Sequence, residues 1–318
     1  MILNELSPLT QRSVLVTGGA GFIGSHLAES LVHLGAKVTV IDNLATGALD
    51  NLATIASQIN LIVGDIGDLL RLKRLAIADY HYIFHLAGNP YIPPSVANPA
   101  YDFHENLQNP FSLLEALREA KTQTKLINAS SAAVYGNPVR LPIRESDPTI
   151  PISPYGVSKL AGERYVAVYS QLYGISALSM RFFSVYGPRQ RKQVIFDLLE
   201  KIHRNPYEIE VFGDGSQARD FTYVQDVVRA LILAAEVAPG HGEAYNVASG
   251  ITYTIAQIVS ALCHISGTSP RINYTGHVRP GDAEKWEVDL QNLRTLGFEP
   301  KTTLESGLAK LWDWYSGL

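Results

Sequence analysis

Residues 13–42 read SVLVTGGAGFIGSHLAESLVHLGAKVTVID, and this stretch decides the fold. The apolar run SVLVT has the length of a short buried strand. A glycine-rich turn breaks it and opens a helical pattern, and AKVTVID then returns to a strand that ends at Asp42. Gly18, Gly21 and Gly24 form G-x-x-G-x-x-G at the strand-to-helix junction. Glycines in that setting allow a tight turn, close passage of the backbone past a pyrophosphate, and close packing of helix on sheet. The helix N-terminus beginning near Phe22 offers unpaired N–H groups to phosphate oxygens.

Outward from this unit the alternation continues. INLIVGDI predicts a third strand, YIFHLAG a fourth and TKLINASS a fifth. Helical patterns lie between them, including ENLQNPFSLLEALREA, with Pro110 expected in its first turn, and the run from Pro154 to Tyr173. Strands rich in Val, Ile and Leu that alternate with helices require a mainly parallel sheet covered on both faces. ISALSMRFFSVYGP adds another strand, closed by a Gly-Pro break.

After residue 188 the pattern changes. A helix, VIFDLLEKIHR, and a strand-like IEVFGDG precede the helix VQDVVRALILAAEVA and the strand AYNVAS, which is expected in the main sheet. ITYTIAQIVSALCHIS reads as a helix, and LESGLAKLWDWYSGL as a terminal helix whose aromatic stripe packs in the core. The expectation is an α/β fold: a Rossmann-type parallel sheet with helices on both faces and a smaller C-terminal α/β substrate lobe. The lobes interleave. Residues 1–180 plus 223–250 form the cofactor domain, and 181–222 plus 251–318 the substrate domain.

Composition narrows the function. Twenty-six Lys and Arg against 30 Asp and Glu give a net charge of -4, which speaks against a nucleic-acid binder. One cysteine, Cys263, excludes an internal disulfide and a cysteine-rich zinc site, and reads as a buried small hydrophobe in a helix. The N-terminal residues lack the features of a secretory signal, and no stretch approaches the ~20 apolar residues that span a bilayer. A soluble cytoplasmic enzyme without a metal is expected, with no membrane or nucleic-acid partner.

Asp42 stands at the end of the second strand, where a carboxylate grips the adenine-ribose 2'-OH. A 2'-phosphate there would meet like charge, and the following NLATG carries no cation, so NAD is favoured over NADP. Asp65, in GDI, is placed to accept from the adenine amino group or to cap the helix that follows. At the chemical end, Tyr155 and Lys159 are four residues apart and share one helix face. An ammonium beside a phenol favours the phenolate, so the tyrosine pKa is expected to fall from about 10 toward neutrality. With Ser131 arriving from a strand end, the trio suits removal of a proton from an alcohol while a nicotinamide takes its hydride. His85 is expected to pack or bond locally.

These segments, GGAGFIGSH, DNL, GDI, HLAG, SSAAVYG, YGVSK, RFFSVYGPRQ, GDGSQARDFTYVQDVV and RPGD, resemble the extended short-chain dehydrogenase/reductase family along nearly the whole chain. They most resemble its nucleotide-sugar epimerase and dehydratase branch. The resemblance implies that Tyr155 is the base, that Lys159 lowers its pKa and holds the nicotinamide ribose, and that Ser131 bonds the sugar 4-hydroxyl. It places Ile23, Asn43, Gly47, Ile66, Leu86, Ala87, Gly88, Asn106 and Ser130 along the cofactor. It puts Arg219 and Arg279 on the diphosphate, Asp282 on the nucleotide ribose, and Tyr91 and Ser184 beside the substrate. A homodimer is implied as well; the helices around 108–118 and from Ser153 onward read equally well as an oligomer surface or as ordinary solvent-facing helices.

Within that branch, dehydratases place an acidic pair after the serine and decarboxylases often one glutamate. This chain has Ala132 and Ala133, which neither donate nor accept a proton. The expectation is 4-epimerisation with tightly held NAD. Uronate epimerase, decarboxylase, dehydratase, 4-ketoreductase and a non-enzymatic cofactor binder are the alternatives. Trp286 aligns with a position that sets pocket size, which favours UDP-glucose and UDP-galactose over N-acetyl sugars. Three departures from the branch stand out: Pro90 where many 4-epimerases carry a lysine, Ser184 where asparagine is usual, and Asn109-Pro110 in place of Gly-Thr.

Overall fold

The computed structural model describes residues 9–71, 74–277 and 285–317. Its strands are β1 (Ser13–Thr17), β2 (Lys37–Asp42), β3 (Ile59–Val63), β4 (Tyr82–His85), β5 (Lys125–Ser131) and β6 (Ala177–Phe182). Then follow β7 (Ser184–Tyr186), β8 (Glu208–Val211), β9 (Ala218–Tyr223), β10 (His241–Val247), β11 (Thr252–Thr254) and β12 (Arg271–Tyr274). The α-helices are α1 (Phe22–His33), α2 (Ile66–Arg71), α3 (Ile92–Ala97), α4 (Pro99–Phe103), α5 (Asn109–Ala120) and α6 (Pro154–Tyr173). The C-terminal half adds α7 (Val194–Arg204), α8 (Val224–Val237), α9 (Ile255–Ser266), α10 (Gln291–Thr295) and α11 (Leu304–Ser316).

Seven strands form one sheet in the order β10-β6-β5-β4-β1-β2-β3, with every pair parallel. Parallel strands need crossover helices, which cover both faces, so the central strands are largely apolar. Val14, Leu15 and Val16 are fully buried, as are Ile83, Phe84 and Ile127. One face belongs to a core with α1 and α8 residues such as Leu27, Leu31, Val227 and Leu231, the other to a core with Leu113, Leu117 and Val166. The chain leaves β1 in one direction along the sheet and resumes at β4 on its other side. This reversal opens a crevice at the carboxyl ends of β1 and β4.

The remaining strands form a three-stranded sheet, β11-β9-β7, and the pair β12-β8. This smaller α/β region was expected, although three of its strands were not read from sequence: Ala218–Tyr223, Arg271–Tyr274 and Thr252–Thr254. The last falls at the start of an expected helix that begins only at Ile255, because Thr252–Thr254 pairs with β9 and Thr254 then caps α9. ISALSMRFFSVYGP also divides in two. Ala177–Phe182 joins the large sheet and Ser184–Tyr186 the small one, so the chain passes between sheets at Phe183.

Pro110 lies in the first turn of α5, but the helical coil begins earlier. A π turn over His104–Gln108 links α4 to α5, and this wider turn admits a proline that cannot donate to the preceding coil. Trp312, Trp314 and Tyr315 are partly buried against the core, and Cys263 is half-buried on α9. Among the described residues, no helix is long and apolar enough to cross a membrane.

Candidate active site

The carboxyl ends of the central strands open into a cavity of about 840 Å³. At its cofactor end the glycine loop is closed against the neighbouring strand. Gly18 has φ +69°, and a Cβ there would stand 2.7 Å from the Ala87 nitrogen. A Cβ on Gly24 would overlap the Gly18 carbonyl. Gly21, at the N-cap of α1, offers no side-chain cap, so the first-turn N–H groups beside the cavity are free for an anion. A dinucleotide pyrophosphate fits this cradle.

Asp42 is buried at the end of β2 on the cavity wall. Its Oδ2 accepts from Ala20 N at 2.9 Å and its Oδ1 from Leu44 N at 2.8 Å, which fixes the carboxylate in place. Around it the wall is Asn43, Ala45, Thr46, Ala48 and Asn51, without a cation to meet a phosphate. Gly47 lies behind the wall, packed on Asp42: a Cβ there would be 2.8 Å from Oδ1. Asp65 is a cap. Its Oδ1 accepts from Gly67 N at 2.8 Å and Asp68 N at 3.2 Å, and its Oδ2 takes Asn109 Nδ2 at 3.2 Å. The Asn109 departure therefore serves to hold Asp65, whose lone pairs can still face the cavity.

Phe22, Ile23, Ile66, Leu86, Ala87, Gly88 and Ser130 line the same cavity, as do Tyr91, Ser184, Arg219 and Trp286 toward its other end. Asn106 does not line it; the side chain sits behind Gly88. Arg279 and Asp282 lie outside the described residues.

At the chemical end, Ser131 terminates β5 and Tyr155 opens α6. Ser153 caps that helix by accepting from Gly156 N at 3.1 Å, with Pro154 at the first helical position. The proline-rich loop after HLAG folds into α3, and its buried Ser95 Oγ accepts the Tyr155 N–H at 3.2 Å. One turn on, Lys159 Nζ donates to the Ala129 carbonyl at 3.2 Å and stands 5.9 Å from the centroid of the Tyr155 ring. Ser131, Tyr155 and Lys159 thus meet at one point on the cavity wall.

The charges depart from expectation. Burial pushes the Tyr155 phenol up to about 12, helped by the Asp102 carboxylate, while the Ser131 hydroxyl pulls the other way. Burial brings Lys159 down to about 8, against Asp102 and Glu163. The expected fall of the phenol toward neutrality is therefore not produced by this chain's own groups. The Lys159 ammonium donates to a carbonyl, and burial sets the direction of the phenol's shift. His85 is buried and shares a 2.8 Å hydrogen bond with the Thr17 hydroxyl; burial, with the Lys159 ammonium nearby, brings its pKa down to about 3 and keeps the ring neutral.

Other residues at the site were not singled out from sequence. Glu163, the next turn after Lys159, accepts from Ser130 Oγ at 2.5 Å and pairs with Arg181 through Nε at 2.9 Å and Nη2 at 2.7 Å. Asp102 is fully buried beneath the site. Arg191 and Lys192 line the cavity, Lys192 lying 4.8 Å from the Tyr91 ring. The spacing Lys159-x-x-x-Glu163 on one helix face was the available signal for Glu163. The other three join the site only through tertiary packing.

Known proteins resemble this chain over nearly its whole length. Residues 14–248 match the NAD dependent epimerase/dehydratase family. A UDP-glucose 4-epimerase of Mycolicibacterium smegmatis is 32% identical over 307 residues, 95% of this chain and 97% of that protein. The UDP-glucuronic acid 4-epimerase of Bacillus cereus, solved with UDP-glucuronic acid and NAD, superposes with a TM-score of 0.86 at 33% identity, covering 96% of this chain and 99% of that one. A UDP-N-acetylglucosamine 4-epimerase of Methanobrevibacter ruminantium reaches a TM-score of 0.90 at 32% identity, covering 97% and 99%. The chain belongs to the NAD dependent epimerase/dehydratase family. Its cofactor is NAD.

Proposed function

We propose that the protein interconverts the C4 epimers of a nucleotide sugar, with UDP-glucose and UDP-galactose as the favoured pair. The observation that carries this is the convergence of Ser131, Tyr155 and Lys159 on the NAD cavity beside a turn with no acid. Ala132 and Ala133 follow Ser131, buried against Val134 and Tyr135, and can supply no proton for loss of water. Ser131 and Tyr155 hold the sugar 4-hydroxyl, and Tyr155 removes its proton. When bound, NAD would supply the acceptor and donor for the C4 hydride, and its positive nicotinamide would favour the phenolate. Lys159 holds the nicotinamide ribose, and Tyr155 gives the proton back once the 4-keto sugar has turned. Asp42 binds the adenine ribose. Arg219 and Arg279 take the diphosphate, Asp282 the nucleotide ribose, and the Trp286 indole limits the arm at C2.

A second reading keeps the reaction and changes the sugar. Arg191 and Lys192 bring two cations to the cavity wall, suited to the C6 carboxylate of a UDP-uronate. Incubating purified protein with UDP-galactose, UDP-glucuronate and UDP-N-acetylgalactosamine, and following products by NMR, separates these readings. Conversion of the acetylated sugar in preference to both others would sink them, as would loss of water, carbon dioxide or stoichiometric NADH.

The domain division of 1–180 plus 223–250 and 181–222 plus 251–318 is retained in this proposal, supported by the return of β10 to the large sheet. A cytoplasmic homodimer completes it. Phe103 of α4 and Val157, Tyr165, Val168, Leu172 and Tyr173 of α6 are exposed, an apolar patch beside α5 of the kind that pairs with a second copy. Leu172→Glu is expected to convert a dimer to monomer in sedimentation, and a wild-type monomer at micromolar concentration would contradict the assembly.

A further inference from the structure

Asp102 is a fully buried carboxylate near the site, and neither the fold nor the reaction described so far assigns it a task. It is 0% exposed at the end of α4, which packs on α6. Its Oδ1 accepts two amide hydrogen bonds, from Asn89 Nδ2 at 2.9 Å and Asn106 Nδ2 at 2.7 Å, while Oδ2 is buried without a partner. Asn106 Nδ2 also donates to the Asn89 carbonyl at 3.1 Å. The π turn at His104–Gln108 is what turns Asn106 inward beneath Asp102. Asn106 Oδ1 and Lys159 Nζ then converge on Gly88: a Cβ there would lie 2.5 Å from the first and 3.5 Å from the second.

A buried carboxylate held only by neutral amides needs a counter-charge nearby. The groups that face Lys159 identify it. From α6 come Tyr155, its ring centroid 5.9 Å from Nζ, and Glu163, from β4 His85, and from α4, packed on α6 and reaching Gly88 through Asn106, Asp102. His85 is neutral, and Glu163 is already matched by the two-pronged Arg181 of β6. Asp102 is the carboxylate in this group without a guanidinium.

We infer that Asp102 is a positioning residue: its carboxylate fixes Asn89 and Asn106 around Gly88 and supplies the counter-charge to the Lys159 ammonium. The same charge opposes ionisation of Tyr155, so the pair's working pH window is set from behind the site. The kinetic part of this inference rests on Tyr155 and Lys159 as the reacting pair; the charge assignment does not.

Asp102→Asn tests it in the NAD-loaded enzyme, because the amide oxygen still accepts from both asparagines while the charge is gone. Both limbs of the pH–rate profile are expected to move to lower pH by about one unit, since loss of a nearby negative charge lowers both pKa values. Selective carbon-13 NMR titration of Lys159 is expected to move in the same direction. Asp102→Glu, which keeps the charge, is expected to restore the limbs. Asp102→Ser carries the same expectation as asparagine should that variant fail to fold. A lower rate with both limbs and the Lys159 titration unmoved would overturn the inference. A moved titration with unmoved limbs would support it, and would count instead against the reacting pair.

Discussion

Lys159 Nζ donates to the Ala129 carbonyl at 3.2 Å and does not reach the Tyr155 oxygen through a bond of its own; it stands 5.9 Å from the ring centroid. Strand β5 therefore anchors the ammonium, and the phenol is free to change its protonation without releasing it. Tyr155→Phe should leave Lys159 in place and NAD bound, while turnover falls by about 10²-fold or more, the usual scale of a lost proton-transfer group. Cofactor content measured beside kcat checks this. Loss of NAD together with turnover would make Tyr155 a structural residue.

The Glu163–Arg181 pair is buried and continues through Arg181 Nη1 to the Tyr135 hydroxyl at 2.7 Å, which donates to Asn246 Oδ1 at 2.7 Å. Arg181→Met removes one partner and leaves an uncompensated carboxylate under Ser130. Such losses cost about 3–5 kcal/mol, so urea unfolding should shift strongly. The double variant Glu163→Gln with Arg181→Met should recover much of that loss. A single variant within about 0.5 kcal/mol of wild type would remove this pair from the account of stability.

His26 joins the glycine-loop helix to the segment after β7. Its Nε2 pairs with the Pro188 carbonyl at 2.9 Å and its Nδ1 with the Gln225 amide at 3.2 Å, one donor and one acceptor. That pattern needs the neutral ring, and burial lowers its pKa to about 4. The folded value lies below the unfolded 6.5, so the unfolded state takes up the proton first as pH falls. Stability from this group is full above pH 6.5 and is lost on the way down to about 4, by up to about 3 kcal/mol. His26→Gln should flatten that part of the stability profile relative to wild type; parallel profiles would contradict it.

Trp286 packs edge-on to Phe183 at 5.5 Å on the cavity wall. Trp286→Ala should open room for a C2 acetamido arm and raise the relative kcat/KM for UDP-N-acetylgalactosamine by about tenfold or more, the scale of a changed apolar contact. No change in relative specificity would mean that the indole does not bound the sugar.

The fold was legible because period and punctuation agree over residues 13–42: a buried strand, glycines where backbone must approach backbone, a helix, and a strand ending in Asp42. The site's frame was legible for the same reason, since Tyr155 and Lys159 share a helix face and Ser131 ends a strand. What sequence spacing does not carry is the environment that sets charge. Asp102 is buried on α4, the π turn after it brings Asn106 against its carboxylate, and Arg181 reaches Glu163 from a strand. The phenol's upward shift follows from burial, which one helix cannot reveal. The short strand at 218–223 was missed because ARDFTY mixes buried polar groups with apolar ones. Asp220 is buried there because it accepts from Ser249 N and Gly250 N.

In the proposed reaction the C4 hydrogen leaves the sugar and returns to it within one site. UDP-galactose carrying deuterium at C4 tests this directly when the wild-type enzyme is run in ordinary water and the product is read by NMR. The expected product is UDP-glucose with the deuterium still at C4, without accumulation of reduced cofactor. Product that has lost the label, or that carries a new bond elsewhere on the sugar, would contradict it.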